Sequence, residues 1–466
     1  MTNTLPSTTL PTAVHFSGLG GKGIAPAASL ALAAGMRVTG DDLVPNHRTD
    51  IFTAHGVPVA LGVNRVPRDV DLLVSSAAVP VNTAAPIHQM GRLEFVQHLF
   101  SEHRKRILAV AGSLGKSTAA AMVHRILSPV APSAYIGADV PGLLCGGELT
   151  TGEWAVVEAC EYRSAYSALT PEIVIALNMV QNHEDDLGAG TAGFERSMTK
   201  FLTEGPTPPG LIVMPSEVAG LMSPHLTAAG TAGQIEVIGA GGPWQVHVLR
   251  QDTKDSTFRL THGGRDAGTW TVPAPGPHLI PGAACGIVSA LHLGLKTSDI
   301  AAGLADFRLP GRRMSVVHSD ERLVVVDDNA RQPDQVRALI QALRQAHPDR
   351  TLVIAVAPWG RRNKRDLTAW PESLSGADAV WVLPVGDNAT PGGEDPDADV
   401  RLTELLRRSG TVAHTIKNDM DLPIPGDGAK GLVIATAGYD ANAAEFATLH
   451  RQAINALGSP AQETGE

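Results

Sequence analysis

Short apolar runs that end in glycine, asparagine or an acid, each followed by a helical stretch, recur along the chain and predict buried strands alternating with helices. Ala13-Val-His-Phe-Ser-Gly18 reads as a strand that empties into Gly18-Leu-Gly-Gly-Lys-Gly-Ile24, an Ala/Leu-rich helix to Gly35, and a second strand from Arg37 that ends at Gly40-Asp-Asp42. Asp71-Leu-Leu-Val-Ser-Ser76 supplies another buried strand, and His103-Arg-Lys-Arg106 marks a change of segment. The run Ala109-Val-Ala then breaks into Gly112-Ser-Leu-Gly-Lys-Ser-Thr118 and continues as a helix through Leu127. Trp154-Ala-Val-Val-Glu158 and Ile173-Val-Ile-Ala-Leu-Asn178 are two further buried strands. Gly210 to about Thr271 reads as β-rich, and an Ala-rich helix over Pro275 to Leu293 follows a Gly-Pro-His turn. Beyond Phe307-Arg-Leu-Pro-Gly-Arg-Arg313 come a strand at Leu323–Asp328, a helix at Pro333–Ala346 and strands at Thr351–Val356 and Gly431–Ala435. Gly386 to Asp399 reads as a surface loop and Ser459 to Glu466 as a frayed tail. Repeated βα alternation predicts an α/β fold with mostly parallel sheets covered on both faces.

Composition narrows this picture. A chain of 466 residues exceeds one core, and three units are expected at 1–105, 106–308 and 309–466. The net charge of −10 and an aromatic content of 4% offer neither a basic face nor a stacking platform, so no nucleic-acid partner is expected. Cys145, Cys160 and Cys285 are odd in number and widely spaced, which argues against a disulfide framework or structural zinc. Met1 to Pro11 lacks the basic start and apolar centre of a signal peptide, and no apolar run approaches a membrane span; a reducing cytoplasm is the expected location.

Candidate chemistry lies where the strands end. Gly112 and Gly115 let the backbone turn its N–H groups toward phosphate oxygens; Lys116 can reach terminal phosphates and Ser117 can offer a hydroxyl to magnesium. A full phosphate loop of this type carries a glycine five residues before Gly115, where this chain has Val110. Glu158 ends a strand, where an α/β fold places a metal-binding carboxylate, and Asn178 leads into Asn182-His183. The first glycine turn with Asp42 has the order of a dinucleotide or nucleotide-sugar site. Taken singly, these features equally suit a ligand-free tight turn, a capping acid and a solvated histidine.

The ordered set resembles the Mur ligase family over nearly the whole chain. The residues that carry it are Val14 to Ile24 with Val38-Thr-Gly-Asp-Asp42, Val74-Ser-Ser-Ala77, Arg92-Leu-Glu-Phe95, Gly112 to Thr118, Glu158-Ala-Cys-Glu161, Asn178 with Asn182-His183, Gly276-Pro-His278, Gly311-Arg-Arg313 and Asp327-Asp328. The resemblance implies three domains: an N-terminal Rossmann-like nucleotide-sugar domain, a central P-loop ATPase-like domain and a C-terminal Rossmann-like domain that closes. It also implies an ATP-dependent amide ligase of peptidoglycan precursor synthesis that joins L-alanine to UDP-N-acetylmuramate through an acyl phosphate. Its roles fall on Lys116, His183, Arg312 and Arg313 for catalysis and on Gly112, Ser113, Leu114, Gly115, Lys116, Ser117, Thr118, His278, Arg313 and Asp328 for ATP. Gly18, Gly20, Gly21, Lys22, Gly23, Asp42, Ser75 and Ser76 would meet the UDP-sugar, and Ser117, Glu158 and His183 would hold magnesium. A monomer or homodimer without membrane insertion is implied.

The chain also departs from the family pattern. Asn182 replaces the usual Asp, Gly276-Pro-His-Leu279 with Gly282 replaces an Asn-containing adenine turn, and Asn329-Ala-Arg-Gln-Pro333 replaces Tyr-Gly-His-His-Pro. Pro358-Trp-Gly360 stands for Pro-His-Arg, with Arg365-Asp-Leu367 retained. The acceptor amine therefore stays open: L-alanine, a preformed peptide, or another substrate of a diverged ligase. From a different class, a non-catalytic paralogue that binds ATP and UDP-sugar is the remaining reading.

Overall fold

Strands that are apolar on both faces need cover on both faces, and the computed structural model contains three sheets, each with such strands at its centre. It describes residues 11–62, 66–75, 87–180, 191–205, 207–228, 234–357, 367–383, 397–416, 422–425, 431–438 and 443–458. The first sheet holds β1 (Ala13–Ser17), β2 (Arg37–Asp42), β3 (Val59–Leu61), β4 (Leu72–Ser75) and β5 (His88–Gly91), all parallel, in the order β3-β2-β1-β4-β5. The order reverses at β1, so the glycine turn that follows β1 opens at the switch point, where such sheets bind ligands.

The second sheet contains β6 (Arg106–Ala111), β7 (Ser133–Tyr135), β8 (Gly147–Glu148), β9 (Trp154–Glu158), β10 (Ile173–Ala176), β11 (Leu211–Pro215), β12 (Gln234–Ile238), β13 (Trp244–Gln251), β14 (Ser256–His262) and β15 (Arg265–Val272). Its order is β15-β14-β13-β12-β11-β10-β6-β9-β7-β8. Strand β6 lies between β10 and β9, parallel to both, with Ala111 level with Ala176 and Val110 level with Glu158. The region expected to be β-rich from Gly210 also carries a helix at Ser216–Ala228, whose buried Val218, Ala219, Met222 and Leu226 recur at helical spacing.

The third sheet has β16 (Ser315–Ser319), β17 (Leu323–Asp328), β18 (Thr351–Val356), β19 (Ala379–Val382), β20 (Ala413–Thr415) and β21 (Leu432–Ala437), in the order β16-β17-β21-β18-β19-β20. Only the pairing of β16 with β17 is antiparallel among its described pairs. The helix expected at Pro333–Ala346 is present with those bounds. The loop expected to run to Asp399 ends earlier, because a helix begins at Ala398; 386–396 and the tail from Ser459 lie outside the described residues.

The first two sheets share one core: Phe16, Phe95, Phe100, Tyr166, Phe194 and Phe201 belong to a single buried cluster. They form one compact unit with residues up to Leu249, Thr257–Pro273 and Leu279–Pro310. The second unit contains Gly311–Glu466 together with Arg250–Ser256 and Ala274–His278, two short segments expected in the central domain. Gln345 explains their attachment: its amide donates to the Asp252 carbonyl at 2.7 Å and accepts from the Gly276 N–H at 3.0 Å.

Close helix packing fixes the helix Lys116–Ile126, which follows the glycine turn after β6. A Cβ at Gly282 would lie 3.1 Å from Ala119 Cβ, one at Gly286 would lie 3.0 Å from Val123 Cγ2, and one at Gly303 would lie 2.2 Å from the Arg125 carbonyl oxygen. The first two contacts are tight, whereas the third cannot exist without backbone movement. Alanine also gains about 1 kcal/mol over glycine in a helix, which offsets the mild crowding at Gly282 but not the clash at Gly303. Thermal unfolding should therefore show Gly303→Ala destabilised by about 1–3 kcal/mol, with Gly282→Ala nearly neutral; equal effects would contradict this packing.

Candidate active site

Three neighbouring parallel strands, β10, β6 and β9, end at one edge of the second sheet, and each delivers a polar group there. Gly112 follows β6 with φ +142°, and a Cβ at that position would press within 3.2 Å of the Asn178 nitrogen and of Leu177 Cβ. Gly115 caps the following helix at φ +75°, a left-handed conformation that favours glycine. The two glycines therefore serve different needs: close approach at Gly112 and a turn at Gly115.

Asn178 clamps the loop. Its Oδ1 accepts from the N–H groups of Ser113 at 3.1 Å and Leu114 at 2.9 Å, and its Nδ2 donates to the Leu114 carbonyl at 2.8 Å. Ser113 Oγ donates to the Val180 carbonyl at 2.7 Å. The loop shape is thus held by the neighbouring strand, a role for Asn178 that its position in the motif did not specify. Its amide, with one acceptor and two donors, suits this two-way clamp.

Lys116 folds back over the loop. Its Nζ donates to the carbonyls of Gly112 at 2.7 Å and Ser113 at 3.2 Å and pairs with Glu161 Oε2 at 2.8 Å. Burial pulls the lysine pKa down most strongly, but Glu161 and then Cys160 and Glu158 outweigh it, so the net shift is upward and the ammonium form is held. Glu161 is 1% exposed. It precedes a turn in which Arg163 and Ser164 take left-handed φ values of +50° and +53°.

Ser117 and Glu158, which the resemblance gives to magnesium, lie side by side. Ser117 Oγ donates to Glu158 Oε1 at 2.9 Å, and the Gly137 N–H donates to Glu158 Oε2 at 2.7 Å. A hydroxyl and a carboxylate side by side form a hard-oxygen donor set of the kind magnesium takes, with its other positions left to water and phosphate. Thr118 is buried in the first helical turn. Asn182 and His183 lie outside the described residues.

The first glycine turn reaches this site within the same unit. A Cβ at Gly137 would lie 3.3 Å from the Lys22 carbonyl as well as 3.2 Å from Glu158 Oε2. Tyr135 OH donates to the Gly23 carbonyl at 2.6 Å and accepts from Arg92 Nη1 at 2.9 Å. Arg48 adds a second tie, bidentate to Asp139 at 2.9 and 2.7 Å with a contact to the Gly20 carbonyl at 3.3 Å. These links escaped the motif reading because Tyr135, Gly137 and Asp139 come from a segment with no distinctive spacing.

Asp42 acts locally, its Oδ2 accepting the Gly20 N–H at 2.9 Å. Asp41 holds the turn from below, accepting the Gly18 and Leu19 N–H groups through its carbonyl at 3.0 and 2.8 Å. Its buried carboxylate takes the Ser17 hydroxyl at 2.8 Å and lies 3.2 Å from His15 Nε2. Gly21 donates to the Gly18 carbonyl at 2.9 Å. Ser75 ends β4 at the same edge, and Ser76 lies outside the described residues.

In the second unit the paired arginines separate. Arg312, at φ +54°, binds Asp327 at 2.8 and 3.2 Å and the Gly438 carbonyl at 3.3 Å. Arg313 instead is the charge felt by Asp328 and His278. Burial raises the Asp328 pKa despite Arg313 and the N–H groups of Met314 and Ala330, which its carboxylate accepts at 2.8 and 2.7 Å. His278 is exposed at the surface, yet the protein atoms crowded around it and then Arg313 push its pKa down to about 4, leaving a neutral ring at neutral pH. Asn329 and Gln332 are buried just beyond β17; Pro358–Gly360 and Arg365–Asp366 lie outside the described residues.

With this geometry in place, comparison with known proteins is direct. Residues 13–99 match the model described as Mur ligase family, catalytic domain, and residues 312–421 match Mur ligase, glutamate ligase domain. The UDP-N-acetylmuramate–L-alanine ligase of Chloroflexus aggregans is 29% identical over 436 residues, covering 86% of this chain and 89% of the relative. That of Methylococcus capsulatus is 29% identical over 478 residues, covering 96% and 97%. Among solved structures, the UDP-N-acetylmuramate-alanine ligase of Thermotoga maritima shares the fold at a TM-score of 0.77 with 21% identity, covering 94% of this chain and 98% of that one. A murein peptide ligase from Psychrobacter arcticus gives 0.65 at 20% identity, covering 96% and 99%.

The clamp makes a direct prediction. Asn178→Ala removes three hydrogen bonds to the loop and should weaken ADP binding by about tenfold or more, at about 1 kcal/mol for each bond that held the bound shape. Isothermal titration checks this, and unchanged affinity would show that the loop holds its shape without Asn178.

Proposed function

This chain belongs to the Mur ligase family, and from that premise we propose that it is the ATP-dependent ligase that joins L-alanine to UDP-N-acetylmuramate. The observation that carries the proposal is the convergence of Lys116, Ser117, Glu158 and Asn178 on one sheet edge, with the Lys22 carbonyl beside the Gly137–Glu158 contact. The ATP side and the nucleotide-sugar side of such a reaction then meet within one compact unit. The product is a peptidoglycan precursor, which ties the enzyme to cell-wall synthesis, cell shape and division. No described helix is long and apolar enough to cross a membrane, in keeping with a cytoplasmic enzyme using small-molecule substrates.

In the proposed mechanism, the glycine turn Gly18–Gly23 receives the UDP diphosphate and orients the sugar carboxylate toward the phosphate loop. A carboxylate oxygen attacks the γ-phosphorus; the bond to the bridging oxygen breaks, releasing ADP and leaving an acyl phosphate. The amino group then attacks the acyl carbon, loses a proton and expels inorganic phosphate as the amide forms. Phosphoryl transfer of this kind depends on position and charge neutralisation, and Lys116 supplies a largely buried group whose neighbours favour its charged form. Magnesium, held by Ser117 and Glu158 with His183 assigned to a second ion, would neutralise phosphate charge. We assign Arg313, Asp328 and the neutral His278 to ATP, and Arg312 to shaping that segment through Asp327.

A second acceptor is favoured by one observation. Asn329 and Gln332 are buried where the family pattern has Tyr and His, so this chain presents amides rather than an aromatic and an imidazole beyond β17. That change suits an acceptor other than free L-alanine, such as a preformed peptide.

Turnover is tested with ATP, magnesium and UDP-N-acetylmuramate, adding single amino acids and then L-alanyl peptides, and reading phosphate release with product mass. L-Alanine is expected to give a product heavier by one alanyl residue; ATP binding without turnover for any acceptor would instead mark a non-catalytic paralogue. Lys116→Ala should lower turnover at least about a hundredfold while UDP-sugar binding stays within about twofold, because the loop and the glycine turn contribute separate groups. An equal loss of sugar binding would contradict the assignment of the two loops.

A further inference from the structure

Glu161 stands in the Glu158-Ala-Cys-Glu161 motif, but none of the roles above uses it. Its carboxylate is almost fully buried, and Oε2 lies 2.8 Å from Lys116 Nζ. The carbonyls of Gly112 and Ser113 accept hydrogen bonds from that ammonium, whereas Glu161 meets it as an ion pair. The lysine's charge is therefore already matched by a carboxylate, and a phosphate oxygen that engages Lys116 competes with Glu161 for it. The carbonyls belong to a loop fixed by Asn178, and moving them would break the bonds to Ser113 and Leu114. The side chain of Glu161 is the replaceable partner.

Resting on the ATP-binding reading above, we propose that Glu161 is a positioning residue that competes with the triphosphate for Lys116, so that nucleotide binding is an exchange of carboxylate for phosphate. Two consequences follow from charge. Nucleotide affinity is set against a buried ion pair rather than against water, because breaking that pair leaves a carboxylate beside arriving phosphates. A monophosphate that does not reach Lys116 meets no such competition. Glu161 thereby selects for polyphosphates long enough to reach the lysine and repay the broken pair. It also keeps Lys116 folded onto the loop, where its long side chain is already ordered.

The test is calorimetric binding of ADP and AMP to the full-length protein, each with magnesium and with EDTA, for the wild type, Glu161→Gln, Lys116→Ala and the double variant. The glutamine keeps size and a hydrogen-bond acceptor while removing the charge. Glu161→Gln is expected to bind ADP about tenfold tighter than wild type in both media, a change of about 1.4 kcal/mol, with AMP altered less than about twofold. In the Lys116→Ala background the same substitution should have no effect on ADP, since the competition needs the lysine.

Weaker ADP binding only with magnesium would overturn the proposal in favour of a metal-ligating Glu161. Weaker or unchanged binding in both media would overturn it in favour of a purely structural ion pair. Melting temperatures establish that each variant is folded; if Glu161→Gln is not, Glu161→Asp, one methylene shorter, should show the same preference for ADP at smaller size. A wild type that binds no ADP would sink the ATP reading itself, whereas a wild type that binds while Glu161→Gln leaves ADP affinity unaltered would sink this inference alone.

Discussion

The parallel pairing of β6 with β9 on one side and β10 on the other is the constraint on which the site depends. Parallel neighbours end at the same edge, so the turn after β6, the carboxylate closing β9 and the amide beyond β10 must meet there. Asn178 turns that adjacency into a fixed loop shape by accepting from two loop N–H groups and donating to a loop carbonyl. The close contact at Gly112 is the steric counterpart of the same arrangement, since any side chain there would drive the two strand ends apart. Gly303 and Gly286 then hold the following helix from behind.

Charge is treated differently in the two units. In the first unit a largely buried lysine is kept charged by the buried Glu161 and the half-buried Cys160 and Glu158, an arrangement suited to meeting phosphate. In the second, crowding and the like charge of Arg313 together keep His278 neutral, while burial raises the Asp328 pKa despite Arg313. Arg312 resolves what would otherwise be a crowded pair of arginines by turning to Asp327, which also accepts the Thr436 hydroxyl at 3.1 Å.

Much of the fold was legible in the residues. Continuous apolar runs such as Leu323–Asp328, Trp154–Glu158 and Thr351–Val356 became strands with the expected bounds because a strand covered on both faces must be apolar throughout. The helix at Ser216–Ala228 was missed inside the stretch read as β-rich from Gly210. At the site, the glycine turn after β6 and the strand-end positions of Glu158 and Asn178 were legible as local motifs. The partners of Lys116 were not, because Glu161 is forty-five positions away in sequence and only the sheet brings it to 2.8 Å.

The sequence by itself determined the alternation of elements, the glycine turns and the identity of the groups that can bear phosphate and metal, since these depend on local backbone freedom and side-chain chemistry. The tertiary structure decided which groups touch. It assigned Asn178 to the loop, Arg312 to Asp327 and Asp42 to Gly20, and it joined the two glycine turns through Tyr135, Gly137 and Asp139. The reason is physical: strand order and helix packing fix distances between residues far apart in the chain, and hydrogen bonds and ion pairs are sensitive to tenths of an ångström that no spacing along the chain encodes.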